Sequence, residues 1–151
     1  MNSSRILKSS LGPDIPAQFS SDAIFKELQD THCSFLKKGT SRKVYDIKGT
    51  EYVLKVAIKK ENIVCNWTEI VAFHAFDNDQ AKLGRVFSWS VSGKFLVMEK
   101  LNMQSHPGET FNFPTWVNDR KYSNVGKAED GTYKICDYAL VITPSSPEVA
   151  I

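Results

Sequence analysis

The spacing of apolar positions changes several times along the chain, and each change marks a predicted element. Ser20-Ser21-Asp22 places a serine cap ahead of Ile24, Phe25 and Leu28 at helical spacing, which predicts a short helix over residues 22–30. From Cys33 the pattern becomes that of strands: Phe35-Leu36, a break at Gly39-Thr40-Ser41, then Val44 to Ile47, a turn at Lys48-Gly49-Thr50, and the almost continuous apolar run from Tyr52 to Ile58. Three antiparallel strands fit this pattern. Glu61 to Asp77 contains neither Gly nor Pro and sets Ile63, Trp67, Ile70, Val71, His74 and Phe76 largely on one side of a helical wheel, so a second helix is predicted there. Two more strands, Arg85 to Val91 and Lys94 to Glu99, meet at the Ser92-Gly93 turn. Segment 102–118, with Pro107, Gly108 and Pro114, lacks helical period and reads as a loop packed by its aromatic residues. Val125, Tyr133 and Ile135 around Asp130-Gly131 then form a hairpin.

The order of three strands, helix, two strands and hairpin predicts an α+β class: a small antiparallel five-stranded sheet with one packed helix. Length and composition fit one domain over residues 1–151, with 42% hydrophobic residues to build its core. Residues 1–20 read as an N-terminal extension and 141–151 as a linker-like tail. No apolar run is long enough for a membrane span or a secretion signal, so a cytoplasmic protein with no membrane partner is expected. Cys33, Cys65 and Cys136 are odd in number and widely spaced, which points to reduced, buried thiols rather than a zinc site or disulfide framework. The net charge is +2, from 19 basic and 17 acidic residues, and the basic residues form doublets rather than a stripe; nucleic acid is not the expected partner. His32, His74 and His106 lie far apart, with His74 expected at the surface of its helix. No serine or cysteine nucleophile has a recognisable base beside it.

Chemistry concentrates near the C-terminal end. Asp119, Lys121 and Asn124 spell D-x-K-x-x-N, followed by Asp137. Two carboxylates and an amide at such spacing suit phosphoryl transfer: one carboxylate orients a hydroxyl while the amide oxygen and the other carboxylate hold magnesium against nucleotide phosphates. With the predicted strand order, these residues make the chain resemble the ATP-binding part of the protein kinase-like superfamily, including its aminoglycoside-kinase relatives, over residues 35–140. The resemblance implies an N-lobe-like part over 35–101 and a catalytic loop with a metal-binding hairpin over 102–140. It implies ATP and Mg2+ as cofactors. Asp119 would be the hydroxyl-orienting base, Lys121 would steady the γ-phosphate, and Asn124 and Asp137 would be metal ligands. Gly39 and Ser41 would stand in the phosphate-covering hairpin. Lys55 would bind the α and β phosphates while paired with Glu69, and backbone groups around Glu99 to Leu101 would meet the adenine edge.

The chain departs from the family pattern at three places. One glycine replaces several in the first hairpin, Val117 stands where the family has histidine, and Tyr138-Ala139 replaces Phe-Gly after the metal-binding aspartate. The sequence given runs only to Ile151, so a truncated C-lobe is expected. Other readings of the same residues stay open at this stage: Lys55 on an exposed strand edge, Glu69 on a helix surface, Asp119 and Asn124 as turn caps. Functionally, phosphoryl transfer to a protein hydroxyl, or to the chain itself, competes with a kinase-like module that has lost catalysis and docks on a protein partner through surface aromatics such as Trp89 or Trp116. A second copy of the chain is a further candidate partner.

Overall fold

A computed structural model of the chain describes residues 12–105 and 111–139. The tail 141–151 and His106, Pro107 and Gly108 lie outside the described residues. The class is α+β, built on a five-stranded antiparallel sheet. Two compact units are separable, one formed by the described residues up to Trp67 with Val86–Lys100, the other by Thr68–Arg85 with the described residues from Leu101 onward.

The first unit holds helix α1 (Asp22–His32) and strands β1 (Cys33–Lys38), β2 (Arg42–Ile47), β3 (Tyr52–Ala57), β4 (Val86–Trp89) and β5 (Phe95–Glu99). The strand order is β1-β2-β3-β5-β4. β3 is central and buried along its whole length, which is why its sequence reads as an unbroken apolar run rather than an alternation. On one face Tyr52, Leu54 and Val56 join Ile47, Phe95 and Val97 and are covered by Phe25 and Leu28 of α1. Phe25 and Phe95 stack with centroids 6.0 Å apart. The Ser21 hydroxyl caps α1 by accepting the Ile24 N–H, as its sequence position predicts. Asp22, in the first turn, accepts from the Ser92 hydroxyl at 2.7 Å and ties α1 to the β4–β5 turn.

The N-terminal extension is part of this packing from Gly12 onward. Ile15 enters the core, and the Phe19 N–H donates to Trp89 O while Ser20 bridges Ser90, so the outer edge of β4 is covered. β1, the other edge, carries a bulge at Leu36 between the Phe35–Tyr45 and Lys37–Val44 pairs.

Helix α2 (Ile63–Ala75) forms where the sequence predicts it, but its buried stripe differs from the expected one. Asn66, Glu69, Ile70 and Ala72 are buried, whereas Val71 is 61% exposed and Val64 62% exposed. Two polar residues hold interior positions because each has hydrogen-bond partners, so burying them leaves no orphaned group. Asn66 donates to the Gly93 and Lys94 carbonyls and accepts from buried Arg42. His74 is exposed, as expected.

The second unit contains most of α2, a 3-10 stretch (Asp77–Lys82) that the hydrophobic pattern does not announce, and the hairpin β6 (Val125–Lys127) and β7 (Tyr133–Ile135). Trp116 stacks on Phe76 at 4.2 Å and 9°, meets Tyr138 edge-on, and donates its indole N–H to Asp79. Among the described residues no helix is long and apolar enough to cross a membrane.

Candidate functional site

Each compact unit carries part of the expected constellation. In the first, Gly39, Thr40 and Ser41 link β1 to β2. The Gly39 N–H donates to Arg42 O, and Ser41 O accepts from the Ile58 N–H, which fastens the loop to the end of β3. A Cβ placed on Gly39 would lie 3.5 Å from Arg42 O, an ordinary contact, so the fold itself does not demand glycine there. Lys55 sits in the middle of β3, between Val44 and Leu96 in register, and is only 5% exposed. That excludes the reading in which it lies on an exposed edge. An ammonium so placed must be compensated, since an unpaired buried charge costs several kcal/mol, on the order of a whole domain's margin of stability. Glu99 closes β5 opposite Tyr52. The Lys100 N–H is committed to Glu51 O, so the adenine-edge contacts implied by the resemblance would fall to Glu99 or Leu101.

In the second unit, Glu69 is fully buried and not on a helix surface. Its carboxylate accepts the Tyr138 N–H at 2.8 Å. Around Asp119 the chain makes a tight cluster. The Asn124 amide N–H donates to Asp119 Oδ2 at 3.1 Å, and Lys121 Nζ lies 3.6 Å from Asp119 Oδ1. Lys121 is 69% exposed, so that contact is weak and easily exchanged for another anion. Arg120 stabilises the preceding turn by donating to the carbonyls of Val117 and Thr115. Val117 is fully buried; its N–H donates to Pro114 O and its carbonyl accepts from Arg120, so the loop is fixed on both sides of that residue.

Asp137 is framed by a different set of bonds. The Asn124 carbonyl accepts the Cys136 N–H at 2.7 Å, and Ile135 O accepts the Gly84 N–H at 2.8 Å. On the other side the Tyr138 N–H is held by Glu69, and the Tyr138 hydroxyl donates to Gly84 O at 2.8 Å. The residues before and after Asp137 are therefore both pinned. The Asp137 carboxylate accepts weakly from the Ala139 N–H at 3.4 Å. Sequence spacing places Asn124 and Asp137 in one hairpin, and the structure brings Asn124 against the residue that precedes Asp137.

As a magnesium site, Asn124 and Asp137 offer one amide oxygen and one carboxylate. Mg2+ accepts such a small protein share when phosphate oxygens and water supply the rest. Among the described residues no group of three or more His, Cys, Asp or Glu side chains could hold a metal by itself.

Two expectations need correction. Trp89 and Trp116 are 6% and 7% exposed, so neither is a surface anchor for a partner; large aromatic rings at these positions fill packing gaps. No disulfide joins the three cysteines, and each is half-buried rather than buried. For Cys33, burial pushes the thiol pKa up to about 11, with Asp46 adding to the rise and Lys48 opposing it. Asn66 and Arg42 were not legible as structural partners; the only signal for Asn66 is its helical spacing with Glu69, Ile70 and Phe73, and Arg42, on a strand far along the chain, carries none.

Comparison with protein-family models and with curated protein sequences finds no match. Function has to be read from the residues themselves.

Proposed function

We propose that the protein binds MgATP in the manner of kinase-like enzymes and transfers phosphate to a hydroxyl of a protein partner or of its own chain. One observation carries the reading: the backbone bond from Cys136 to Asn124, together with the Asn124–Asp119 hydrogen bond, links a candidate base and both candidate metal ligands through a single loop and hairpin. Phosphoryl transfer requires positioning and charge stabilisation more than covalent chemistry, and such a linked set provides positioning.

In this reading Asp119 accepts or orients the attacking hydroxyl. Its Oδ2 is held by Asn124, so Oδ1 is the reacting oxygen once Lys121 swings to the γ-phosphate. Glu69 steadies the backbone beside Asp137 through Tyr138. Bound magnesium would offset the negative charge that gathers on the phosphate oxygens.

Calorimetric titration of MgATP into the protein tests this, with Asp137→Ala and magnesium-free ATP run in parallel. Binding that requires both magnesium and Asp137 is the expected result. Equal binding with and without magnesium removes the metal assignment. Absence of heat and of thermal stabilisation at millimolar nucleotide transfers the function to partner docking.

A further inference from the structure

The two edges of the five-stranded sheet are treated differently. Beside β4 the segment at Phe19 and Ser20 supplies hydrogen bonds and covers the edge. Beside β1 no described segment does so. An open edge presents a row of backbone N–H and C=O groups to any extended chain, and proteins usually blunt it with charge, proline or a bulge. β1 has a bulge at Leu36, which limits long, flat pairing. It nevertheless leaves Phe35 56% and Leu36 54% exposed, side by side on the strand. A single exposed leucine is ordinary, but two large apolar side chains next to unpaired backbone form the beginnings of a docking surface.

Charge specifies the occupant. Lys37 and Lys38 follow the apolar pair, and Lys38 stands directly opposite Lys43 of β2 in the register. Like charges in cross-strand positions repel and lower the stability of the pairing. β1 has no acidic residue. The one acid of β2, Asp46, lies at the far end opposite Ser34 and is ion-paired with Lys100. An incoming carboxylate beside Lys38, on the side of β1 away from β2, would offset that excess of positive charge, whereas a second copy of this chain would bring more lysines to the edge.

We infer that β1 is a docking edge for an extended acidic segment of a protein partner, which adds to the sheet as a further strand, packs apolar side chains on Phe35 and Leu36, and sets carboxylates against Lys37 and Lys38. Main-chain hydrogen bonds give such a complex its affinity and the side chains its selectivity. Its side chains are distinct from the nucleotide-binding ones proposed above.

The probe is a fluorescent, end-blocked peptide of alternating Glu and Val, about eight residues long to match a long strand. Anisotropy titration is run with the full chain, the Lys37→Glu/Lys38→Glu variant, and a Lys/Val peptide of the same length. The expected result is saturable binding of the Glu/Val peptide that weakens about tenfold or more in the double variant, since reversing both lysines turns two attractive contacts into repulsive ones. The same variant should then bind the Lys/Val peptide better than the wild type does, a gain that loss of folding cannot produce. Methylating alternate peptide amides should abolish binding. Three results overturn the inference: no saturable binding of the Glu/Val peptide, equal binding of its N-methylated form, or a sedimenting homodimer that Leu36→Asn dissociates.

Discussion

Replacing Tyr138 by phenylalanine deletes one oxygen atom, and the structure says what that atom does. The hydroxyl donates to Gly84 O at 2.8 Å, and Tyr138 is fully buried. Gly84 also donates its N–H to Ile135 O, so the hydroxyl closes a short ring of bonds between the segment after the 3-10 stretch and the end of β7. The phenyl ring of the variant would keep the edge-on contact with Trp116, so no cavity forms. What is lost is one buried hydrogen bond, and Gly84 O is left without that donor, which costs about 1–2 kcal/mol. For a chain of this size that corresponds to a fall in Tm of about 3–6 °C. Tyr138→Ala removes the ring as well and should cost about 3–5 kcal/mol through the void left against Trp116. Urea unfolding followed by tryptophan fluorescence measures both, and amide exchange reports whether the Tyr138 N–H stays protected by Glu69 in the phenylalanine variant. An unchanged midpoint for Tyr138→Phe, or a loss as large as that for alanine, would refute the assignment of the hydroxyl as an independent clamp on Asp137.

Other substitutions test separate links. Gly93→Ala should destabilise by about 2 kcal/mol or more, because φ is +85° and a Cβ would collide with the Trp67 indole nitrogen; Gly131→Ala, at φ +91° with no neighbour within 4 Å, should lose only about 1 kcal/mol, and urea titration of the pair separates collision from backbone strain. In a Cys65→Ser/Cys136→Ser background, Cys33 should react with iodoacetamide at pH 8 about a hundredfold more slowly than a thiol at the usual 9.0, because a pKa of about 11 leaves that much less thiolate; an ordinary rate would show that the site is open to water. Burial tends to raise the Asp22 pKa, but hydrogen bonds from Ser92 and Ser90, with Lys94 nearby, outweigh it and hold it below 3.8. Its contribution is therefore present above about pH 4 and fades as acid protonates it, so the stability difference between wild type and Asp22→Asn should shrink as pH falls below that value.

Most of the sheet was legible because strand period and turn residues agree. Tyr52 to Ala57 is apolar almost throughout because β3 is covered on both faces, and the Ser92-Gly93 turn falls where the pattern breaks. The α1 cap was visible for the same reason: a serine followed by an acidic first turn has few other uses. Apolar positions alone do not mark the buried side of α2: they point to Val71, which is exposed, while Asn66 and Glu69 occupy the interior and are held there by hydrogen bonds. Local sequence cannot show partners that arrive from residues far along the chain, such as Gly93 for Asn66 or Tyr138 for Glu69. At the candidate site the spacing of Asp119, Asn124 and Asp137 foretold one loop and one hairpin, and the pinning of Asp137 through Gly84 and Tyr138 was invisible for that same reason. The burial of Trp116 was equally hidden, since nothing beside it in sequence announces Phe76 or Asp79.

The room around Gly39 separates two selective pressures that usually act together. Because a side chain there would meet only Arg42 O at ordinary contact distance, mutational drift at this position escapes any filter that acts on folding. A library randomised at residue 39 and sorted for thermostability should therefore return a broad mixture of small residues. Sorting the same library for ligand capture would return glycine alone if phosphate must come close to the loop. The position works as an internal control: if the loop meets phosphate, a substitution there would perturb recognition while the stability of the scaffold stays constant.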